Sequence, residues 1–445
     1  MPGKNRKVPR RRAGFALATP SRSDTLRAAG AQASGAFPLT MSSSAPLSPS
    51  LPDRLQSLDV YRGLIMFSLA CHGFGLAGTA RNHLKVNPES GFWGLVLHQF
   101  EHAEWRGGGY WDLIQPSFMF MVGVSMAYSY LRRQREGESW GRMFGHACWR
   151  AVALAALGIF LISNGRSGTE WSLMNVLTQI GLGYPFLFLL WGRSIRVQAV
   201  TVAAILLGTW ILYASFPAPG IDLTAGAPKA GVTAVWAQQH LAGVGSAWHK
   251  NANVGQVVDI WLLNLLPRTE PFVFNGGGYQ TINFLPSLAT MLLGLMAGEL
   301  LRSRREARDK ARWLLLAGLA GLALGLLGAA LGIPLVKRIW TPSWALWSSG
   351  WCALILGGLY WTVDVQRWRG WTFPLVVVGM NSLAIYAMGM LLRPWAAKTF
   401  QTHLGSDVFK VLGAANAPFV QATVVGLVFW LACWWLHRRR IFLRL

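Results

Sequence analysis

The densest cluster of groups able to move protons in this sequence is His98-Gln-Phe-Glu101-His102-Ala-Glu104-Trp105, followed a little later by Asp112. An imidazole beside carboxylates at a water–membrane boundary can serve as nucleophile or general base near neutral pH. A carboxylate holding one ring nitrogen fixes the tautomer and sharpens the other, and Glu101, Glu104 and Asp112 are all near enough in sequence to do this for His102. The same stretch fits the H-x-x-E-H pattern of metalloproteases, with His98 and His102 on one helical face around zinc and Glu101 as base. That pattern fixes only three positions and no third ligand follows it, so no metal is expected. The plainer alternative is a solvated loop with Trp105 and Trp111 as interfacial anchors.

Two further sites carry ionisable groups against an apolar background. Asp59 and Arg62 stand at the entrance of an apolar run, where they form an ion pair or shape the mouth of an internal cavity. His72, in Ala70-Cys71-His72-Gly73, lies deep in the same run, and polar groups there are costly enough to suggest a functional pathway. The four cysteines, Cys71, Cys148, Cys352 and Cys433, form no C-x-x-C pair and read as small buried hydrophobes.

The elements that must position these groups follow from composition. Of 445 residues 53% are hydrophobic and only 13% charged, against roughly 25% charged in soluble domains. The net charge of +23 sits in short basic runs between apolar segments, the pattern of loops beside a lipid bilayer rather than of nucleic-acid binding. Continuous apolar runs at about 58–79, 112–131, 146–163, 173–191, 197–216, 280–301, 312–332, 344–362, 372–393 and 416–436 predict an all-α polytopic bundle of about ten spans. Lys and Arg concentrate in alternate loops, from Arg132 and Arg133 through the cluster at Arg302–Arg312 to Arg438–Arg440. Both termini are therefore expected in the cytoplasm. Residues 1–53 read as a disordered basic tail, with translation starting either at Met1 or at Met41. Residues 54–437 read as the membrane domain and 438–445 as a basic cytoplasmic tail. Two long loops, about 80–111 and 217–279, face the opposite side.

A set of motifs then appears in a fixed order: S-L-D-V-Y-R-G at 57–63, H-A-E-W at 102–105, D-L-I-x-P-x-F-M-F at 112–120, V-L-T-Q-I-G-L-G-Y at 176–184, Lys337-Arg-Ile-Trp-Thr-Pro-Ser343 and Gly379-Met-Asn381-Ser382. Together they resemble the heparan-α-glucosaminide N-acetyltransferase family and its bacterial relatives, from about 54 to 395. The resemblance implies a multi-pass acyltransferase of a bacterial inner membrane. It would move an acetyl group from cytoplasmic acetyl-CoA to an amino or hydroxyl group of a sugar or glycan on the far side. His102 matches the family's catalytic histidine, whereas His72 stands where the family usually has Asn.

On that reading His102 and Asp112 are catalytic, and Asn381 donates to the developing oxyanion. His72, Glu104, Trp105, Lys337, Trp340 and Ser343 contact the acceptor. Asp59, Arg62 and Gln179 serve the acetyl-CoA side. The CoA phosphates dock among cytoplasmic arginines, and His102 either accepts the acetyl group or deprotonates the acceptor. The sequence is also compatible with a homodimer. The rival classes are a transporter without acyl transfer and the zinc metalloprotease built on His98, Glu101 and His102. Elemental analysis separates the last: purified protein is expected to carry no stoichiometric zinc, and one zinc per chain would restore the protease reading.

Overall fold

Every long apolar run folds as helix, because a backbone in hydrocarbon has to satisfy its own hydrogen bonds. The computed structural model describes residues 55–218 and 220–443, all within one compact unit, Leu51–Leu445. The tail 1–53, with the alternative start at Met41, and the last two residues of the basic tail lie outside the described residues. In chain order the helices are α1 (Gln56–Ala70), α2 (Leu76–Val86), α3 (Gly91–Phe100), α4 (Ile114–Arg135), α5 (Trp140–Ser163) and α6 (Val176–Leu190). Then come α7 (Ile195–Ser215), α8 (Ala234–Leu241), α9 (Val254–Leu263), α10 (Phe284–Arg302) and α11 (Ala307–Ala330). The series ends with α12 (Pro342–Leu359), α13 (Phe373–Met380), α14 (Ser382–Leu391), α15 (Arg393–Leu404) and α16 (Ala417–Arg438). Among the described residues there is no strand, only isolated bridges of Asp222 with Gly226 and Ala227 with Val232. Ser139, Asn175, Ser194 and Thr341 start α5, α6, α7 and α12 by accepting bonds from first-turn amides.

Five of these helices are long and apolar enough to cross a membrane, or up to seven if each of two bent pairs counts as one span. The five are α5, α7, α11, and α10 and α16 with their lead-in turns. The bent pairs are α1 with the segment Gly73–Val86, turning by 57°, and α13 with α14, turning by 80° at Asn381. The other three expected spans, α4, α6 and α12, are helices of 22, 15 and 18 residues that are shorter or less apolar. The apolar stretch of α10 is 67% buried, against 17% in α11, so α10 is the central post and α11 faces outward.

Glycine decides how closely the central helices approach. A Cβ at Gly123 of α4 would sit 1.9 Å from the Met291 carbonyl oxygen of α10, and one at Gly294 of α10 would sit 2.0 Å from the Phe120 oxygen. Small residues that let backbones touch are the usual device of helix association in lipid, where no hydrophobic force draws helices together. The 217–279 loop is a folded cap rather than an open loop. It packs Val232, Leu241, Trp248 and Val254 with Trp105, Val336 and Ile339 as a second apolar cluster. Gly123→Val is expected to lower the thermal midpoint of the detergent-purified protein by the equivalent of about 1–3 kcal/mol, the cost of overpacking against backbone. An unchanged midpoint would contradict the α4–α10 contact.

Candidate active site

Asp112 lies in the short turn Tyr110–Leu113 ahead of α4, and its side chain is 1% exposed. Its Oδ1 accepts from His102 Nδ1 at 2.7 Å and from Lys337 Nζ at 3.1 Å. The Oδ2 accepts from the amides of Ala103 at 3.0 Å and Gly109 at 3.4 Å. A buried carboxylate is tolerable only when its lone pairs are met in this way. Burial alone would raise its pKa; the His102 hydrogen bond and the Lys337 charge outweigh that and hold Asp112 at about 2.

Three segments converge to make this arrangement. The first follows α3, which stops at Phe100; Glu101 is already extended (φ −109°, ψ 154°), so His102 leaves the helix and turns toward Asp112. Close passage of Gly109 under α3 fixes that loop, since a Cβ there would lie 2.5 Å from the His98 carbonyl oxygen. The second is the turn ahead of α12, cross-braced by Thr341, whose hydroxyl donates to Pro334 O at 2.6 Å and accepts from Val336 N at 3.1 Å. That turn delivers Lys337. Next to it, Arg338 reaches the carbonyls of Gly277 at 2.8 Å and Ala103 at 3.2 Å, clamping the third segment, the glycine run of the cap, over the site.

A carboxylate ionised at neutral pH can stand 2.7 Å from Nδ1 only if that nitrogen carries a proton. Lys337 Nζ also lies 3.1 Å from Nδ1, but its proton goes to Asp112, because Nδ1–H has no lone pair to offer. The free lone pair of His102 is therefore on Nε2. Burial pushes the His102 pKa below its ordinary value, Asp112 pulls it up, and Lys337 and Arg338 push it down again. The ring is thus neutral at pH 7, and with 42% of its side chain exposed it can meet a substrate. The dyad holds a base or nucleophile in one tautomer, poised for acyl or proton transfer.

The other expected site residues divide. Glu104 is exposed, accepts from Trp236 Nε1 at 3.3 Å and belongs to the rim. Trp105 is 1% exposed, with its Nε1 on the Trp248 carbonyl at 3.0 Å; it anchors the cap and offers no open ring to a substrate. Trp340 is equally buried, bonded to Thr290 at 3.2 Å, and Ser343 Oγ is turned to Gly328 of α11, so neither reaches the rim. Lys337 backs the dyad directly, donating to Asp112 Oδ1 at 3.1 Å. Asn381 is not brought to His102: its amide donates to Ile441 O and accepts from Leu443 N, both at 3.1 Å, beside Asp59 at the other end of α1. The length of α1, about 22 Å at 1.5 Å per residue, separates it from His72. Gln179 spends its NH₂ on the carbonyls of Leu173, Gln280 and Thr281, which ties α6 to α10 on the cap side, away from Asp59 and Arg62. His98 and His102 share no helical turn, because α3 ends between them, and among the described residues no His, Cys, Asp or Glu trio could hold a metal.

His72 lies in a helix break rather than in a continuous span. Residues 72–75 all have positive φ, from 48° to 66°. Its ring meets Trp111 edge-on at 5.7 Å, and Trp111 in turn lies 6.1 Å from His102. At the other end of α1, Asp59 lines a cavity of about 500 Å3 with Arg302, Lys310, Arg367 and Arg369. Its wall includes Tyr360 and Asp364 from a π-helical turn, Tyr360–Val365, a wide turn frequent at functional sites. Arg62 is 3.8 Å from Asp59 and bonds Ser125, outside the cavity lining. In the sequence Arg338 has no site role, Trp111 reads as an interfacial anchor and Lys310 falls in a basic loop; their neighbourhood in the fold is what brings them to these sites.

Comparison with known proteins decides the kinship. No family model matches the chain. It is 25% identical over 395 residues to heparan-alpha-glucosaminide N-acetyltransferase of Homo sapiens, covering 80% of this chain and 56% of that protein. The chain is a relative of that enzyme. To the Mus musculus enzyme of the same name it is 24% identical over 405 residues, 83% of this chain and 56% of the relative. The chain thus spans little more than half the length of the curated relatives it matches. With its apolar helices, this relative is an integral membrane protein.

Diethyl pyrocarbonate attacks only the neutral ring, so site-resolved labelling of His102 reports its titration. Its half-point is expected below 6.5 in the wild type. In Lys337→Met it rises, since a cation that disfavours the protonated ring has gone. A half-point unmoved by the substitution removes Lys337 from the dyad's electrostatics.

Proposed function

We propose that this chain is a membrane-embedded acetyltransferase that moves an acetyl group from cytoplasmic acetyl-CoA to an amino or hydroxyl group of a sugar on the opposite side. The observation that carries this reading is the oriented dyad: a half-exposed neutral imidazole whose Nδ1 is bound to a buried, ionised Asp112. The names of the two relatives support the same chemistry.

The cavity at the Asp59 end of α1 suits the donor. Arg302, Lys310, Arg367 and Arg369 outnumber Asp59 and Asp364 there, and it lies among the basic loops that the positive-inside rule assigns to the cytoplasm. Multiply anionic CoA cannot enter hydrocarbon; its phosphates stay among these cations while the acyl end extends along α1 toward His102. The acceptor nitrogen or oxygen attacks the thioester carbonyl as His102 Nε2 takes its proton. Collapse of the tetrahedral adduct breaks the C–S bond, and the CoA thiolate leaves with that proton from the imidazolium. Asp112 stabilises the imidazolium in the interval, and Lys337 keeps Asp112 ionised. Nε2 is equally the atom on which a transient acyl-imidazole would form, with the same donor and acceptor sites. Asn381, tied to the chain's own tail, has no oxyanion role in this scheme.

Thiol release from labelled acetyl-CoA, with label appearing on glucosamine, tests the proposal in purified protein. His102→Ala is expected to lower the rate by about 10²–10⁴-fold, the range of general-base catalysis. Asp112→Asn should lose a comparable factor through the wrong tautomer. Wild-type rates retained in His102→Ala, in protein that still inserts and folds, would end this mechanism.

A further inference from the structure

A second cavity, also about 500 Å3, lies beyond Trp111 from His102 and takes no part in the transfer just described. It is bounded by α2, the start of α15 and the start of α16. His72, Arg81 and Arg393 supply its charged and titratable groups, and Pro418 and Val425 of α16 its apolar wall.

Arg393 is the telling residue. It is half-buried, and among the described residues no hydrogen bond or ion pair satisfies its guanidinium. A cation withdrawn from water without a partner is costly, and in a membrane protein such a group suggests a ligand site. Arg81 comes from a different helix; its contact with Glu101, at 2.9 Å, joins two side chains about half exposed and holds it only weakly. Glu101 pairs with Arg81 at the edge of this group, and among the described residues no carboxylate lines the cavity. Two planar guanidiniums approaching from separate helices match the oxygens of a phosphate, which bears up to two charges. The wall opposite them belongs to α16, an apolar helix only 22% buried along its apolar stretch, so the cavity is continuous in character with membrane-facing surface.

We propose that this cavity binds a phosphate group carried by the acceptor, through Arg393 and Arg81, and so selects an anionic amino sugar over a neutral one. The proposal rests on the acetyltransferase reading only for what the bound molecule is used for. A single indole separates the subsite from the base, with ring-to-ring steps of 5.7 Å from His72 to Trp111 and 6.1 Å on to His102. On this proposal the phosphate is held by Arg393 and the amine is presented past Trp111 to Nε2. The phosphate is either part of a soluble sugar phosphate or the link between a sugar and a lipid, whose chain would run along α16.

Calorimetry on the full chain in phosphatidylcholine nanodiscs, without acetyl-CoA, compares glucosamine 6-phosphate with glucosamine. The phosphorylated sugar is expected to bind at least about tenfold tighter, the scale of one charge-assisted hydrogen bond. Arg393→Gln should bring the two affinities together, and Arg393→Lys should restore part of the gap. Equal affinities in the wild type, or a preference that survives Arg393→Gln, would overturn the subsite. Discs containing phosphatidylglycerol separate the sources. Loss of sugar-phosphate binding there assigns a lipid-borne phosphate to the site, and unchanged binding assigns the soluble one. Thiol release from acetyl-CoA in the same discs keeps the two readings apart. Selective binding without release leaves the subsite and removes the transferase; release with equal use of both sugars does the reverse.

Discussion

The placement of the site depends on one buried charge. Asp112 is removed from water yet ionised, and such a group persists only if donors surround it. Those donors come from separate parts of the chain: the loop after α3, the turn ahead of α12, and its own turn at the head of α4. Satisfying one carboxylate therefore fixes three segments at once, and the cap follows because Arg338 ties it to the same loop. The order of cause runs from electrostatics to geometry. His102 is aimed and its tautomer set because Asp112 needs a proton donor.

Around that anchor the molecule is polarised along α1. A cation-lined cavity lies at the Asp59 end, and the imidazoles, the indole and Asp112 lie at the other with Lys337 and Arg338 beside them. Between them the core is not wholly apolar. Tyr61 donates to Ser117 at 2.8 Å, Ser117 approaches Cys352 at 3.6 Å, and Ser68 meets Tyr110 at 2.8 Å. Hydroxyls so placed keep a narrow polar file within packed helices, each satisfied by its neighbour rather than by lipid-exposed water.

Much of this was legible in advance because two signals are local. Apolar length without alternation gave helices, and the spacing of acids around His102 gave the dyad's members, though not which of Glu101, Glu104 and Asp112 would hold the ring. That choice depends on where α3 ends, and Glu101 turned out to face Arg81. Less legible were residues whose meaning depends on tertiary neighbours. Trp105, Trp340 and Ser343 sit in a motif beside the site, yet packing turns them inward. Asn381 looked like a donor in a span, but an 80° bend places it where the chain's tail needs its amide. The shape of the expected spans was less legible for a related reason: a run of apolar residues does not reveal that its helix is broken, as at 72–75 and at 381.

The break at residues 72–75 carries a consequence of its own. Four successive left-handed residues interrupt the helical ladder, and His72 and Phe74 adopt that conformation despite their side chains, at roughly 1–3 kcal/mol each. Peptide groups leaving a helix in an apolar bundle need partners; His72 N and Gly75 N find them on Leu69 O and His72 O, and the break borders a cavity with guanidiniums on its wall. The break thus leaves an inlet cut into the bundle to the level of the indole, with His72, Arg81 and Arg393 on its wall. A solute entering from that face meets these charged groups before the indole, whereas one coming from the Asp59 end has the packed length of α1 to pass.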